Sequence, residues 1–62
     1  MSRKYKVGDI MQLPVAKIGI VREVVEDSLD WHPYKIEILR DRVFGTEGEI
    51  EDFKEENIEK LI

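Results

Sequence analysis

A chain of 62 residues with no cysteine must hold its fold through apolar side chains and backbone ladders, because disulfide staples are excluded. So short a chain buries only about 60% of the surface its unfolded form exposes, which leaves room for one core and none for a second. Its apolar fraction, 42%, is that of a globular domain rather than of a disordered tail. A single domain over residues 1–62 is expected, with residues 1–5 as a flexible lead and homo-oligomerisation as one way to widen a thin stability margin. The lack of Cys suits a reducing compartment, and the basic opening is followed by no apolar run long enough for a signal peptide or a membrane span. These features predict a cytoplasmic protein with no membrane partner.

Periodicity points to strands. In residues 34–40 (YKIEILR), Tyr34, Ile36 and Ile38 alternate with Lys35 and Glu37, the cleanest two-residue period in the chain. By that phase Tyr34 points into the core. Residues 17–27 hold three Val and two Ile, a β-branched composition suited to a pleated, half-buried surface. Val21, Val24 and Val25 break strict alternation there, which predicts a β-bulge in a long, curved strand. Residues 7–13 (VGDIMQL) read as a first strand stopped by Pro14. Residues 27–33 collect turn formers and a proline and read as a loop, and residues 41–45 form the next turn. Residues 46–61 fit either a strand or one face of a helix, because Ile50, Phe53, Ile58 and Leu61 suit both patterns.

The segment Val7-Gly8-Asp9, followed by Met11, Leu13 and Gly19-Ile20-Val21, resembles the opening of KOW, Tudor and related SH3-like barrels. Residues 48–61 (GEIEDFKEENIEKL) resemble the ending of such barrels: a fourth strand, one turn of 3₁₀ helix and a short fifth strand. The fold class this implies is all-β, a small five-stranded SH3-like barrel with a 3₁₀ turn before the last strand. The likeness is closest to small uncharacterised SH3-like proteins of tailed bacteriophages, which often finish with a similar Glu-Glu-Asn-apolar-Glu pattern. It extends to the small peripheral barrel subunit of photosystem I and the variable chain of ferredoxin-thioredoxin reductase, both non-catalytic docking subunits. Pro14-Val15-Ala16 stands where the KOW pattern has a glycine and a basic cluster, which weakens the transfer of RNA-binding function.

Charge is unevenly distributed. Residues 1–22 carry five Lys or Arg against one Asp, whereas residues 23–62 carry five against thirteen Asp or Glu, for a net charge of −4. Nucleic-acid binding rests on phosphate neutralisation, so only the first third, with Lys4, Lys6, Lys17 and Arg22, meets its requirement. Catalysis is poorly supplied: a nucleophile with a base would have to pair Ser28 with His32. Glu47, Glu49 and Glu51 fall on one solvated strand face. Asp27, Asp30 and His32 meet no metal-loop spacing and read as acids that stabilise turns, so neither a metal nor a cofactor is implied. The more informative cluster is Trp31-His32-Pro33 with Arg40, Arg42 and Phe44, residue types enriched in binding hot spots. Trp31 either plugs an open end of the barrel or serves as a contact residue, and the two arginines either extend that surface or pair with acids.

The reading that follows is a non-enzymatic module that binds a protein partner through Trp31, His32, Arg40, Arg42 and Phe44. It makes the chain a phage-encoded accessory or regulatory protein. The alternatives are an accessory nucleic-acid binder using Lys4, Lys6, Lys17 and Arg22, and a structural docking subunit that self-associates or decorates an assembly through an exposed strand edge.

Overall fold

The alternating run is realised as an interior strand of an antiparallel sheet. In the computed structural model, which describes residues 3–27 and 29–61, five strands follow one another: β1 (Ile10–Leu13), β2 (Lys17–Val24), β3 (Tyr34–Asp41), β4 (Ile50–Phe53) and β5 (Glu59–Lys60). A 3₁₀ turn at Glu55–Asn57 precedes β5, and no α-helix occurs among the described residues. The sheet order is β4-β3-β2-β1-β5. All neighbours are antiparallel. The ladder stays open between β4 and β5, so its hydrogen bonds do not close the sheet into a barrel.

The strand reading of residues 46–61 holds for 50–53 and 59–60. The predicted irregularity in β2 is present. Between Val21↔Ile36 and Glu23↔Lys35 the register shifts with Arg22 as the extra residue, after which Val24 again faces the core alongside Tyr34. A second shift lies between Ile18↔Arg40 and Gly19↔Ile38, where Leu39 is the extra residue on β3. Each bulge sits where its strand loses its other neighbour: β1 pairs with β2 only up to Ile20, and β4 pairs with β3 no further than Glu37. Extra residues at those points bend and twist the ladder.

One face of the sheet supplies Met11, Leu13, Val21, Tyr34, Ile36 and Ile38 to the core, Tyr5 from before β1 and Ile58 from before β5 complete it, and Val24 and Phe53 pack against it. Tyr34 is fully buried, as its strand phase predicts. The flexible lead expected over residues 1–5 gives way at Tyr5, which is only 7% exposed. Its ring packs against Tyr34 with centroids 5.5 Å apart at 59°. Its backbone N–H donates to the Tyr34 hydroxyl at 3.2 Å, and its own hydroxyl donates to the Ile58 carbonyl at 3.4 Å. An aromatic ring offers more buried area than any other residue of the segment, which is why the lead docks there. Residues 1 and 2 lie outside the described residues. Gly8 N–H to Val21 O and Val21 N–H to Asp9 O then join the lead to β2.

Candidate functional site

The sequence places Trp31, His32, Arg40, Arg42 and Phe44 on one surface, and the structure distributes them over two. Trp31 and His32 precede β3, whereas Arg40 lies near its far end and Arg42 and Phe44 follow it. At about 3.3 Å per residue, the length of β3 separates the two groups by roughly 20 Å.

At the first end, Trp31 is 75% exposed, so it is a surface residue and does not plug an open end of the core. The Lys54 ammonium lies 5.5 Å from the centre of its ring. The indole borders a groove of about 340 Å³ to which Arg3, Lys4, Asp30, Lys54, Glu55 and Glu56 contribute, three cations against three acids. The 3₁₀ turn brings the last three of these residues to the loop that carries Trp31. Arg3 secures the same loop, donating through Nε to the Val25 carbonyl at 3.0 Å and through a terminal nitrogen to the Asp27 carbonyl. Asp27 accepts the Leu29 N–H at 2.9 Å and Asp30 accepts the His32 N–H at 2.8 Å, turn-building bonds that use the acids as the sequence suggests. His32 is exposed. No group of three His, Cys, Asp or Glu among the described residues converges on a common point. Ser28, the predicted nucleophile candidate, lies outside the described residues.

Beneath the groove, the Tyr34 hydroxyl donates to Glu55 at 2.7 Å while accepting from Tyr5 N–H. Burial, reinforced by the Glu55 carboxylate, raises the pKa of Tyr34 above the ordinary value for a tyrosine. The neutral hydroxyl is thus favoured by the fold, and the stability it supplies is present below the usual tyrosine range and lost as pH rises through the raised value. Tyr34 thereby ties the N-terminal segment, β3 and the 3₁₀ turn together.

At the second end, the loop after β3 is organised by one buried carboxylate. Asp41 accepts the N–H groups of Val43 at 3.0 Å and Phe44 at 2.9 Å on one oxygen, and the Thr46 N–H at 3.1 Å and the Thr46 hydroxyl at 2.5 Å on the other. Glu47 accepts the Asp41 N–H at 3.0 Å. The Phe44 N–H, then the Thr46 hydroxyl, hold the Asp41 carboxyl well below the ordinary carboxylate range, against the opposing effect of burial. The loop so fixed presents Phe44, 67% exposed, and Val43. The exposed Val15 of the β1–β2 turn lies at the same end, because Lys17, which starts β2, is paired with Asp41. Arg40 and Arg42 are exposed and take part in no ion pair among the described residues.

The four cations proposed for nucleic acid do not form a stripe. Lys17 is buried, 3.2 Å from Glu51 and 3.8 Å from Asp41, with its ammonium 5.8 Å from the Phe44 ring centre. Arg22, at the other end of β2, pairs with Glu37 at 2.7 Å. Lys4 lies over the Tyr5 ring, and Lys6 donates its backbone N–H to Asp9 while its ammonium takes part in no ion pair among the described residues. Sequence reasoning missed Lys54, Glu55 and Glu56 at the groove. Their only signal was the 3₁₀ turn implied by the SH3-like ending, since nothing local says which loop that turn approaches.

No helix among the described residues is long and apolar enough to cross a membrane. No protein-family model, curated protein or solved structure matches the chain.

Proposed function

We propose that this chain is a non-enzymatic, SH3-like interaction module that binds a protein partner at the end carrying Trp31. The strand order, the bent β2–β3 ladder and the 3₁₀ turn before β5 support the SH3-like reading. The exposed indole beside a groove carries the functional one: leaving a large apolar side chain in water forgoes about 1.5–3 kcal/mol of burial, which a partner recovers. The groups held away from their ordinary pKa, Tyr34 and Asp41, spend their hydrogen bonds on backbone and loop order, which favours a binding role over a catalytic one. The neutralised Lys17 and Arg22 count against a phosphate-tracking surface. The phage-encoded accessory role and cytoplasmic site of action rest on the likeness of residues 48–61 and on composition.

The test is an affinity pull-down from bacterial lysate with the wild-type chain beside Trp31→Ala. A specific protein retained by the first and lost from the second supports the reading, and equal retention by both overturns the site. Fluorescent DNA and RNA, titrated with salt, provide the contrast: steeply salt-sensitive binding would replace the protein partner with a nucleic acid.

A further inference from the structure

One edge of the sheet has backbone groups to spare. β4 ends the strand order and is bonded on one side only, to β3. Ile38 N–H donates to the Glu49 carbonyl and Gly48 N–H to the Ile38 carbonyl, so the even residues of β3 turn their backbone groups toward β4. Bonded residues alternate along an antiparallel ladder. Glu51 and Phe53 therefore bond to Ile36 and Tyr34, and the N–H and C=O of Ile50 and Asp52 point away from the sheet. Among the described residues no other group bonds to the backbone of Ile50 or Asp52. The opposite edge, β5, is only two residues long.

Side chains along β4 say what would lie there. Opposed residues share a face, so Glu51 stands with Ile36 on the core side and Ile50 with Glu37 on the outer side, where Ile50 is 59% exposed. Residues 47–56 hold six carboxylates, Glu47, Glu49, Glu51, Asp52, Glu55 and Glu56, and one cation, Lys54. Lys17 and Lys35 reach Glu51 and Asp52 from the neighbouring strands, whereas Arg40 and Arg42 pair with none of the six. Acids thus outnumber the cations beside them two to one. Glu49 is exposed and makes no ion pair among the described residues. A second copy is the wrong occupant, because β4 aligned on β4 at Ile50 sets Glu49 against the copy's Glu51, and like charges directly opposite destabilise a ladder.

We infer that β4 takes up an extended, basic segment of a partner protein as a sixth, antiparallel strand, with an apolar residue opposite Ile50 and Lys or Arg opposite Glu49 and Glu51. The open edge supplies affinity through main-chain bonds, and the acids select the segment. Ile50 and Asp52 line no part of the Trp31 groove, so the inference goes beyond the reading proposed above.

The probe is a capped, fluorescently labelled peptide, Lys-Val-Lys-Val-Lys-Val-Lys, beside two N-methylated forms, one methylated at the valine nitrogens and one at the inner lysine nitrogens. All three carry the same charge, so only backbone pairing separates them. In the proposed register each valine turns its N–H toward β4. Anisotropy titration with the full chain is expected to show binding of the parent and of the lysine-methylated form, and binding at least about tenfold weaker for the valine-methylated form. Hydrogen exchange is expected to find the Ile50 and Asp52 amides open in the free protein and protected in the complex, with Glu51 and Phe53 protected in both. Glu49→Lys, which breaks no ion pair, is expected to weaken binding about two- to fivefold with unchanged circular dichroism. No binding at millimolar peptide overturns the inference, and equal binding of the two methylated forms reduces it to charge attraction. Ile50 and Asp52 amides that become protected in the free chain as its concentration rises give the edge to a second copy and also overturn it. Trp31→Ala is expected to bind the peptide as wild type does, so loss of the Trp31 reading and loss of this one are distinguishable.

Discussion

Single residues carry large consequences in so small a core. A Cβ placed on Gly19 would lie 2.5 Å from Ile36 Cγ2 and 2.8 Å from the Glu37 carbonyl oxygen, and that carbonyl belongs to the neighbouring strand's backbone and does not rotate away. Gly19→Ala is expected to cost about 1–3 kcal/mol, the range of core overpacking, read as a lower denaturant midpoint. Asp41 sets the acid limit. Its folded carboxyl titrates below its ordinary value of 3.8, so the stability it supplies is complete above that value and is lost as pH falls through the folded one. Thermal melts followed by circular dichroism from pH 7 downward should therefore drop below about pH 4, and Asp41→Asn should flatten that slope. None of this was legible in sequence. Asp41 read as an ordinary turn residue, and Gly19 as part of a barrel-like opening, since neither the loop contacts of one nor the cross-strand neighbours of the other are local.

At the scale of elements, alternation and β-branched content located β2 and β3, because a half-buried strand writes its two faces into every second residue. The bulge in β2 was readable from Val21 and Val24. Its counterpart at Leu39 was not, since YKIEILR alternates until the last turn and an exposed leucine leaves no mark in the pattern. The candidate site was legible only as a set of residue types, and their union on one surface assumed that Trp31 and Phe44 lie at the same end of β3. The β1–β2 turn was read as a stop at Pro14 and as a departure from the KOW pattern, with no conformation assigned to it. It holds Val15 at φ 62° and Ala16 at φ 56°, a left-handed conformation that costs roughly 1–2 kcal/mol per L-residue. Replacing the pair with Asn-Gly is expected to raise stability by about 1 kcal/mol in urea unfolding, because those residues tolerate positive φ.

For the whole molecule, the N-terminal segment, the sheet and the 3₁₀ turn meet at Tyr5, Tyr34 and Glu55, which makes the Trp31 end the structurally tied one. The Phe44 end depends instead on a single carboxylate. The paired bulges carry a further consequence. Removing Arg22 or Leu39 would leave every inward and outward residue on its proper face and give each strand a cleaner pattern than it has now. Such deletions would look like improvements to any reader of periodicity, yet they would flatten the sheet at the places where it must bend over its own core. Here the curvature of the molecule is encoded in the two residues that spoil its regularity.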